Sequence, residues 1–525
     1  MRKIVFFSSL QLCVFIAFAQ TAPDASVIDK IKKEGVENSK VMDIAFQLTD
    51  VSGPRLTASP NFMKAANWAK NTLTSWGLVN AQLEPWGEFG KGWQQERCYV
   101  AMTKPYYAPF IAIPRAWTGS TPGNKMINSG IVLIKAKDSA ELLQYAGKLK
   151  NKVVMLWVND ALKPSFEADA ERFADSTLAK MASARPNQNG AQGGQRQMSD
   201  EMRQQFMARQ AFQRNLTNLY NTEKPALVLS INARGTDGTV FVQGGGDYKK
   251  EAAEGPANVM LSSDDYLRLQ RLANAGIPVE LEADVKTKFF TSDLKGYNVI
   301  AEIPGTDPKL KDEVVMLGGH LDSWQGATGA TDNAAGCAVM MEAVRILKSM
   351  NIQPRRTIRI ALWSGEEQGL FGSRNYVKNH LGDPATMELK PEHAKVSAYY
   401  NLDNGTGRIR GVYLQGNEGV RSLFTNWLKP FNDMGASTIT FNNTGGTDHL
   451  AFDAVGIPGF QFIQDPVEYD TRTHHTNMDT YDHLVPEDLK QASMIVAAFV
   501  YHTAMQDEKL PRKELPKARG EGRAF

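Results

Sequence analysis

Cysteine is scarce in this chain, with three in 525 residues. Cys13 lies in an apolar N-terminal run, which leaves Cys98 and Cys337 for the folded body. Two cysteines so far apart predict no disulfide framework, and neither stands in a C-x-x-C pair. Both read as buried thiols. A metal site in this protein must therefore use histidine and carboxylates. An excess of charge of either sign is also missing. Lys and Arg number 59 against 57 Asp and Glu, a net charge of +2, so nothing points to a nucleic-acid or polyanionic partner. Beyond the N-terminus no run is long and apolar enough to span a bilayer, which argues against stable membrane insertion.

What is present begins with length. A chain of 525 residues is too long for one ordinary core, which implies at least two domains. Apolar residues make up 42% and charged residues 22%, the balance of a folded soluble protein. At the N-terminus Arg2 and Lys3 precede an apolar stretch over 4–18, closed by Ala17-Phe18-Ala19. This predicts a signal peptide over 1–19 with Gln20 as the first mature residue. The competing reading is an uncleaved anchor, disfavoured by the short run and its cleavage site. Cys13 sits inside the run rather than at its end, so lipidation is not expected. The protein is expected to be exported, to a periplasm or to the exterior, and the leader suits a bacterial envelope.

The apolar spacing of about 3.6 residues predicts helices over 27–36, 41–49 and 62–76, the last capped by Ser59 or Asn61. From about residue 123 short apolar strands appear, such as 129–134 and 152–158. Residues 123–290 read as an inserted α+β domain. Within it, 182–200 is a low-complexity stretch rich in Gln, Asn, Gly and Arg, which buries too little apolar surface to offset its chain entropy and predicts a loop. Its flanks, 165–181 and 200–219, look helical. From Asn298 strands and helices alternate regularly, which predicts an α/β domain with a mostly parallel central sheet and helices on both faces. That domain is expected to comprise 20–122 and 291–508. The basic tail 509–525 is expected to be disordered.

The chemistry-bearing residues lie where the later strands end. One strand runs into Gly319-His320-Leu321-Asp322, a second into Gly365-Glu366-Glu367-Gln368, a third into Asp403-Asn404, and Thr331-Asp332-Asn333 opens the helix after the first. Open parallel sheets place ligand sites at the carboxyl ends of their strands, so these side chains should converge. Imidazole and carboxylate donors suit zinc. A metal pair needs one bridging carboxylate, and Asp332, in a loop at a helix N-terminus, is placed to face both ions. The segment Thr473-His474-His475-Thr476 supplies a further imidazole. Each of these residues taken singly has an ordinary reading as a turn or surface group, but their joint placement at successive strand ends does not.

These segments, with Gly329-Ala330-Thr331-Asp332-Asn333-Ala334-Ala335-Gly336, Glu366-Glu367-Gln368-Gly369-Leu370-Phe371-Gly372-Ser373 and His475-Thr476-Asn477-Met478-Asp479-Thr480, resemble the zinc-dependent exopeptidase family. That family contains secreted bacterial leucyl aminopeptidases, plasma glutamate carboxypeptidase and the metal-free transferrin receptor. The resemblance covers about 301–503 and implies the family's phosphorylase/hydrolase-like fold. The stretch 123–283 resembles the protease-associated domain that many members insert, although its polar loop departs from the usual compact form.

The resemblance implies two zinc ions, one held by His320 and Asp403 and the other by Glu367 and His475, with Asp332 bridging. It implies Glu366 as general base toward a water between the metals, Asp322 as the carboxylate orienting His320, and a cis peptide at Asp332-Asn333. Asp448 and His449, in a loop beside the cleft, are expected to bind substrate or support the site, and Tyr469 and Arg472 to bind an oxyanion or a substrate carboxylate. The expected activity is an aminopeptidase acting on peptides. A carboxypeptidase or dipeptidase, a receptor-like binding protein and a glutaminyl cyclase are the alternatives on the same scaffold. The oligomeric state is left open, a homodimer included.

Overall fold

The computed structural model describes residues 25–159, 162–185 and 199–520. The expected signal peptide lies outside them, as do residues 186–198 of the expected polar loop. Among the described residues two eight-stranded sheets organise the fold, beside one small two-stranded sheet.

The first sheet carries the strand ends singled out above. Its order is Val79–Glu88, Lys295–Ile303, Thr357–Trp363, Val314–His320, Val396–Asn401, Gly459–Gln464, Ile409–Tyr413 and Thr438–Thr440. The four central strands are parallel, and antiparallel pairings flank them on both sides. The parallel strands are apolar along almost their whole length because both faces are covered. Val315, Leu317, Ile360 and Ala398 pack into the same core as Val339, Ala343, Val496 and Phe499 of helices Ala335–Ser349 and Pro486–Met505. Burying each such Val, Leu or Phe side chain contributes about 1.5–3 kcal/mol. The helix Pro486–Met505 is buried on nearly every side, as expected of a helix apolar all round. The helix Pro60–Ser75 starts where Ser59 accepts a hydrogen bond from the Phe62 amide, with Pro60 at its first position, so of the two expected caps Ser59 is used.

The second sheet runs Ala108–Pro109, Gly92–Lys104, Glu280–Phe290, Ile127–Ile134, Val153–Leu156, Leu227–Ser230, Asn258–Leu261 and Ala112–Pro114. It begins at Gly92 rather than at the expected boundary of 123. The long strand Gly92–Lys104 pairs antiparallel with Glu280–Phe290 over almost its whole length. Its burial does not alternate residue by residue, so the period-two signature that would mark it in sequence is weak. An aromatic cluster of Trp86, Phe89, Trp93, Trp117 and Trp324 joins the two sheets, with Phe89 stacked on Tyr248 at 4.6 Å. Before helix Asp175–Ala182, residues expected to be helical instead form an extended strap. Glu171 pairs with Val467, and Arg172 bridges the buried carboxylates of Asp465 and Asp488.

The expected disordered tail is a correction. As far as Gly520 it lies on the first sheet's domain, and 521–525 fall outside the described residues. Leu510 is 3% exposed and its amide donates to Ser397 Oγ. Arg512 donates to the His393 and Val396 carbonyls, and Lys513 pairs with Asp453 at 2.6 Å. The basic composition suggested a solvated tail, but these cations serve as donors to the body of the fold. Among the described residues no helix is long and apolar enough to cross a membrane.

Candidate metal centre

The parallel register sets the site. His320 ends its strand opposite Trp363, so Glu366 and Glu367 lie just past the neighbouring strand's end. Gly318 permits the close packing beneath them, since a Cβ there would meet the Ala361 carbonyl at 2.0 Å.

His320, Asp332, Glu366, Glu367, Asp403 and His475 come together at this edge. His320 Nε2 stands 3.2 Å from Asp332 Oδ1, 3.2 Å from Asp403 Oδ1 and 4.0 Å from Glu366 Oε2. His475 Nε2 stands 3.0 Å from Asp332 Oδ2 and 2.9 Å from Glu367 Oε2. Asp332 therefore presents one oxygen to each imidazole. The Asp332-Asn333 peptide is cis. Asn333 ties the loop to the next strand by donating to the Leu402 carbonyl at 2.9 Å and accepting from the Gly336 amide at 3.0 Å.

The carboxylates outnumber the cations, and their proton affinities reflect this. Burial, reinforced by Asp403, Asp448 and Glu367 and opposed by His320, holds the Glu366 carboxyl well above its ordinary range. Burial and the neighbouring Asp332 push Glu367 up to about 7 against the pull of His475. Asp479 is likewise pushed to about 7 by burial and then by Asp332. For His475, burial alone would favour the neutral ring, but Glu367 and Asp332 raise it to about 10. Glu367 Oε1 is buried without a hydrogen-bond partner. Buried anions without partners are costly. A buried cluster so rich in carboxylate oxygen, with two imidazoles, suits bound cations.

The remaining expected residues divide. The Asp322 carboxylate is fully buried but does not orient His320. The imidazole Nδ1 is 2.9 Å from the backbone oxygen of Asp322 and 3.8 Å from its carboxylate. The carboxylate accepts instead from Thr57 Oγ1 at 2.9 Å and faces the amides of Glu366 and Glu367. It thus fixes the turn that splays the two glutamates apart. Asp448 is buried beside the cluster, its carboxyl pushed up to about 7 by burial and by Asp403 and Asp322, against the pull of His320. His449 bonds the Thr444 carbonyl and stays outside the cluster. Tyr469 stacks on His474 at 4.8 Å. Its hydroxyl is held well above its ordinary value by burial and by Asp332 and Asp403. Arg472 is turned away, paired with Asp169 and Glu468.

Three further residues support the site, and Arg55 and Asp479 among them had no such role in the sequence reading. Asp479 accepts from Thr331 Oγ1 at 2.8 Å and from the Asp332 amide at 3.2 Å, holding the central carboxylate's loop. Arg55 is fully buried, and its guanidinium donates to the carbonyls of Leu321, Leu48, Thr328 and Gly329. His474 lies against His475 with ring centres 3.8 Å apart, its Nε2 3.9 Å from Asp332 Oδ2. Of these, Asp479 and His474 have a visible signal, since they lie within the quoted Thr476–Thr480 motif and Thr473–Thr476 segment.

A parallel-centred α/β sheet with histidines and carboxylates gathered at its carboxyl edge defines an α/β protein with a candidate metal centre. Residues 298–500 match the model of Peptidase family M28. Over this stretch the chain is similar to that family. Carboxypeptidase Q of Mus musculus is 31% identical over 255 residues, 48% of this chain and 51% of that protein. The chain spans about half the length of the curated relatives it matches. Among solved structures, a peptidase M28 precursor from Shewanella amazonensis SB2B aligns with a TM-score of 0.65 and 23% identity, covering 94% of this chain and 98% of that one. BSAP, a zinc aminopeptidase from Bacillus subtilis, aligns with a TM-score of 0.55 and 18% identity, covering 90% and 96%. At these identities the two structures speak for the fold.

Proposed function

We propose that the chain is a two-zinc exopeptidase that releases N-terminal residues from peptides. One observation carries the reading. Asp332 offers one oxygen to His320 and the other to His475, and each imidazole has a further carboxylate of its own, Asp403 or Glu367. His320 and Asp403 would hold one ion, Glu367 and His475 the other, with Asp332 shared. When bound, the ions would lower the pKa of an attacking water and polarise the scissile carbonyl.

The chain's own groups do the rest. Glu366 has no ligand duty, and its carboxylate, 4.0 Å from His320 Nε2, is placed to take a proton from the water and return it to the departing amine. Asp322 keeps the carboxylates of Glu366 and Glu367 on separate tasks by holding both amides. Tyr469 and His474 wall the side of the site nearest Asp332.

The surplus of carboxylates, Asp448 included, favours a substrate ammonium, and Arg472 is already committed to Asp169 and Glu468. A second reading, a carboxypeptidase or dipeptidase, is favoured by Arg234, which reaches His474 Nδ1 at 3.2 Å from the second sheet's side and would suit a substrate carboxylate. Blocked peptides separate the two. The aminopeptidase hydrolyses C-amidated peptides and leaves N-acylated ones intact, and efficient cleavage of N-acylated peptides would sink that reading. We also read the second sheet as an inserted protease-associated domain, and 1–19 as a signal peptide. Recovery of exported protein that still begins at Met1 would overturn the latter.

A further inference from the structure

The second sheet does more than lie beside the centre. Its connecting segment 238–243 runs along residues 475–477 as if it were a neighbouring strand. Val242 N donates to the His475 carbonyl at 2.9 Å, and Asn477 N donates to the Val240 carbonyl at 3.2 Å. The Asn477 side chain completes the pairing, accepting from the Val240 amide at 2.6 Å and donating to the Gly238 carbonyl at 3.3 Å. Phe241 forms an isolated bridge with Thr476. His475 itself adopts φ +62°, a left-handed conformation that a side-chain-bearing residue holds only when its surroundings impose it. This pairing supplies the imposition.

The segment ends on Gln243. Its side-chain nitrogen stands 3.0 Å from His475 Nδ1, on the far side of the ring from Asp332 and Glu367. The Gln243 backbone is pinned, with its carbonyl accepting from Ala116 N and Gln325 Nε2. The ring's faces are closed by Phe241, Trp324 and His474, so the carboxamide is the polar partner at this nitrogen. An imidazole that ligates a cation through Nε2 carries its proton on Nδ1, and that N–H needs an acceptor. A 180° turn of the carboxamide presents its oxygen where the nitrogen now stands, so glutamine serves both forms of the ring.

We infer that Gln243, from the second sheet, is a positioning residue for the metal ligand His475, so that the inserted segment 238–243 is part of the metal centre. The inference rests on the two-zinc reading above. It also implies reciprocity, because a contact that strengthens zinc binding must itself be strengthened by zinc.

The test uses the full chain and zinc alone. Affinity is measured by competition with a chelator for the wild type, Gln243→Ala, Gln243→Glu and His475→Ala, and hydrogen exchange of the Val242 amide is followed with and without zinc. The expected result is that Gln243→Ala weakens one of the two ions by about 10–100-fold, leaves the other as it was, and abolishes the zinc-dependent protection of Val242. Gln243→Glu keeps an acceptor at Nδ1 and retains the affinity, which separates positioning from mere misfolding. Wild-type affinity for both ions in Gln243→Ala overturns the inference, as does a Gln243→Glu loss equal to that of alanine. His475→Ala distinguishes the two failures. If it loses one ion while Gln243→Ala loses none, only the role of Gln243 falls. If it binds zinc as the wild type does, the proposed ligand set falls as well.

Discussion

Replacing Gly336 by alanine should disable the proposed metal centre without touching any of its ligands. Gly336 is the second residue of the helix Ala335–Ser349 that follows Asp332, where the loop meets the end of the strand leading to Asp403. A Cβ built at Gly336 would lie 2.2 Å from the Leu402 carbonyl oxygen and 2.3 Å from Asn333 Oδ1. Ordinary contacts need about 3.2 Å or more, so the two segments must part by about 1 Å, because Leu402 presents backbone and the buried Asn333 side chain is held by hydrogen bonds at both its atoms. Asp403 follows Leu402 and Asp332 precedes Asn333, so the movement falls between two proposed ligands. Metal–ligand distances tolerate only about 0.2 Å. The expected outcome is at least about a hundredfold loss of peptide hydrolysis, weaker binding of the ion proposed for His320 and Asp403, and a stability cost of about 1–3 kcal/mol from overpacking. Zinc titration and urea denaturation of the same variant measure these together. Wild-type zinc affinity with unchanged stability would refute the steric argument.

Three further outcomes are expected. Glu366→Gln should lower kcat by about 10²–10⁴-fold while leaving zinc stoichiometry intact, and undiminished turnover would remove Glu366 from the mechanism. The metal-free protein should lose stability as pH rises from about 5 to about 8. Glu367, Asp448 and Asp479 are pushed up to about 7 by burial among like charges, so their stabilising contribution is full below the unfolded carboxyl pKa and is lost as pH passes through the folded values. Saturating zinc should suppress that loss, and urea midpoints that rise with pH in the metal-free protein would contradict the sign. Leu510→Ala should cost about 2–4 kcal/mol, because the tail is packed at that residue, whereas a free tail would register no change in thermal denaturation.

Much of the first sheet's half is legible in sequence for a physical reason. A parallel sheet fixes where its strand ends meet, so reading His320, Glu366, Glu367 and Asp403 at the ends of apolar runs already predicts that they converge. The Asp332 loop is legible because it opens a helix that starts at the same edge. What supports these residues is less visible. Arg55 and Gln243 reach the site from segments far away in the chain, and single polar residues carry no periodicity. The resemblance implies that the Asp322 carboxylate orients the His320 ring, yet the ring meets the Asp322 backbone oxygen and the carboxylate serves the next turn. The strand Gly92–Lys104 escaped because its burial is irregular. The tail escaped because Arg512 and Lys513 look like solvated charges until their carbonyl and carboxylate partners are seen.

The metal content of the purified chain, measured together with peptide hydrolysis before chelation, after it, and after zinc is restored, tests the two-zinc reading most directly. That reading predicts two zinc ions per chain, loss of hydrolysis on their removal and recovery on their return. Full hydrolysis by the metal-free chain, or full activity with a single bound ion, would contradict it.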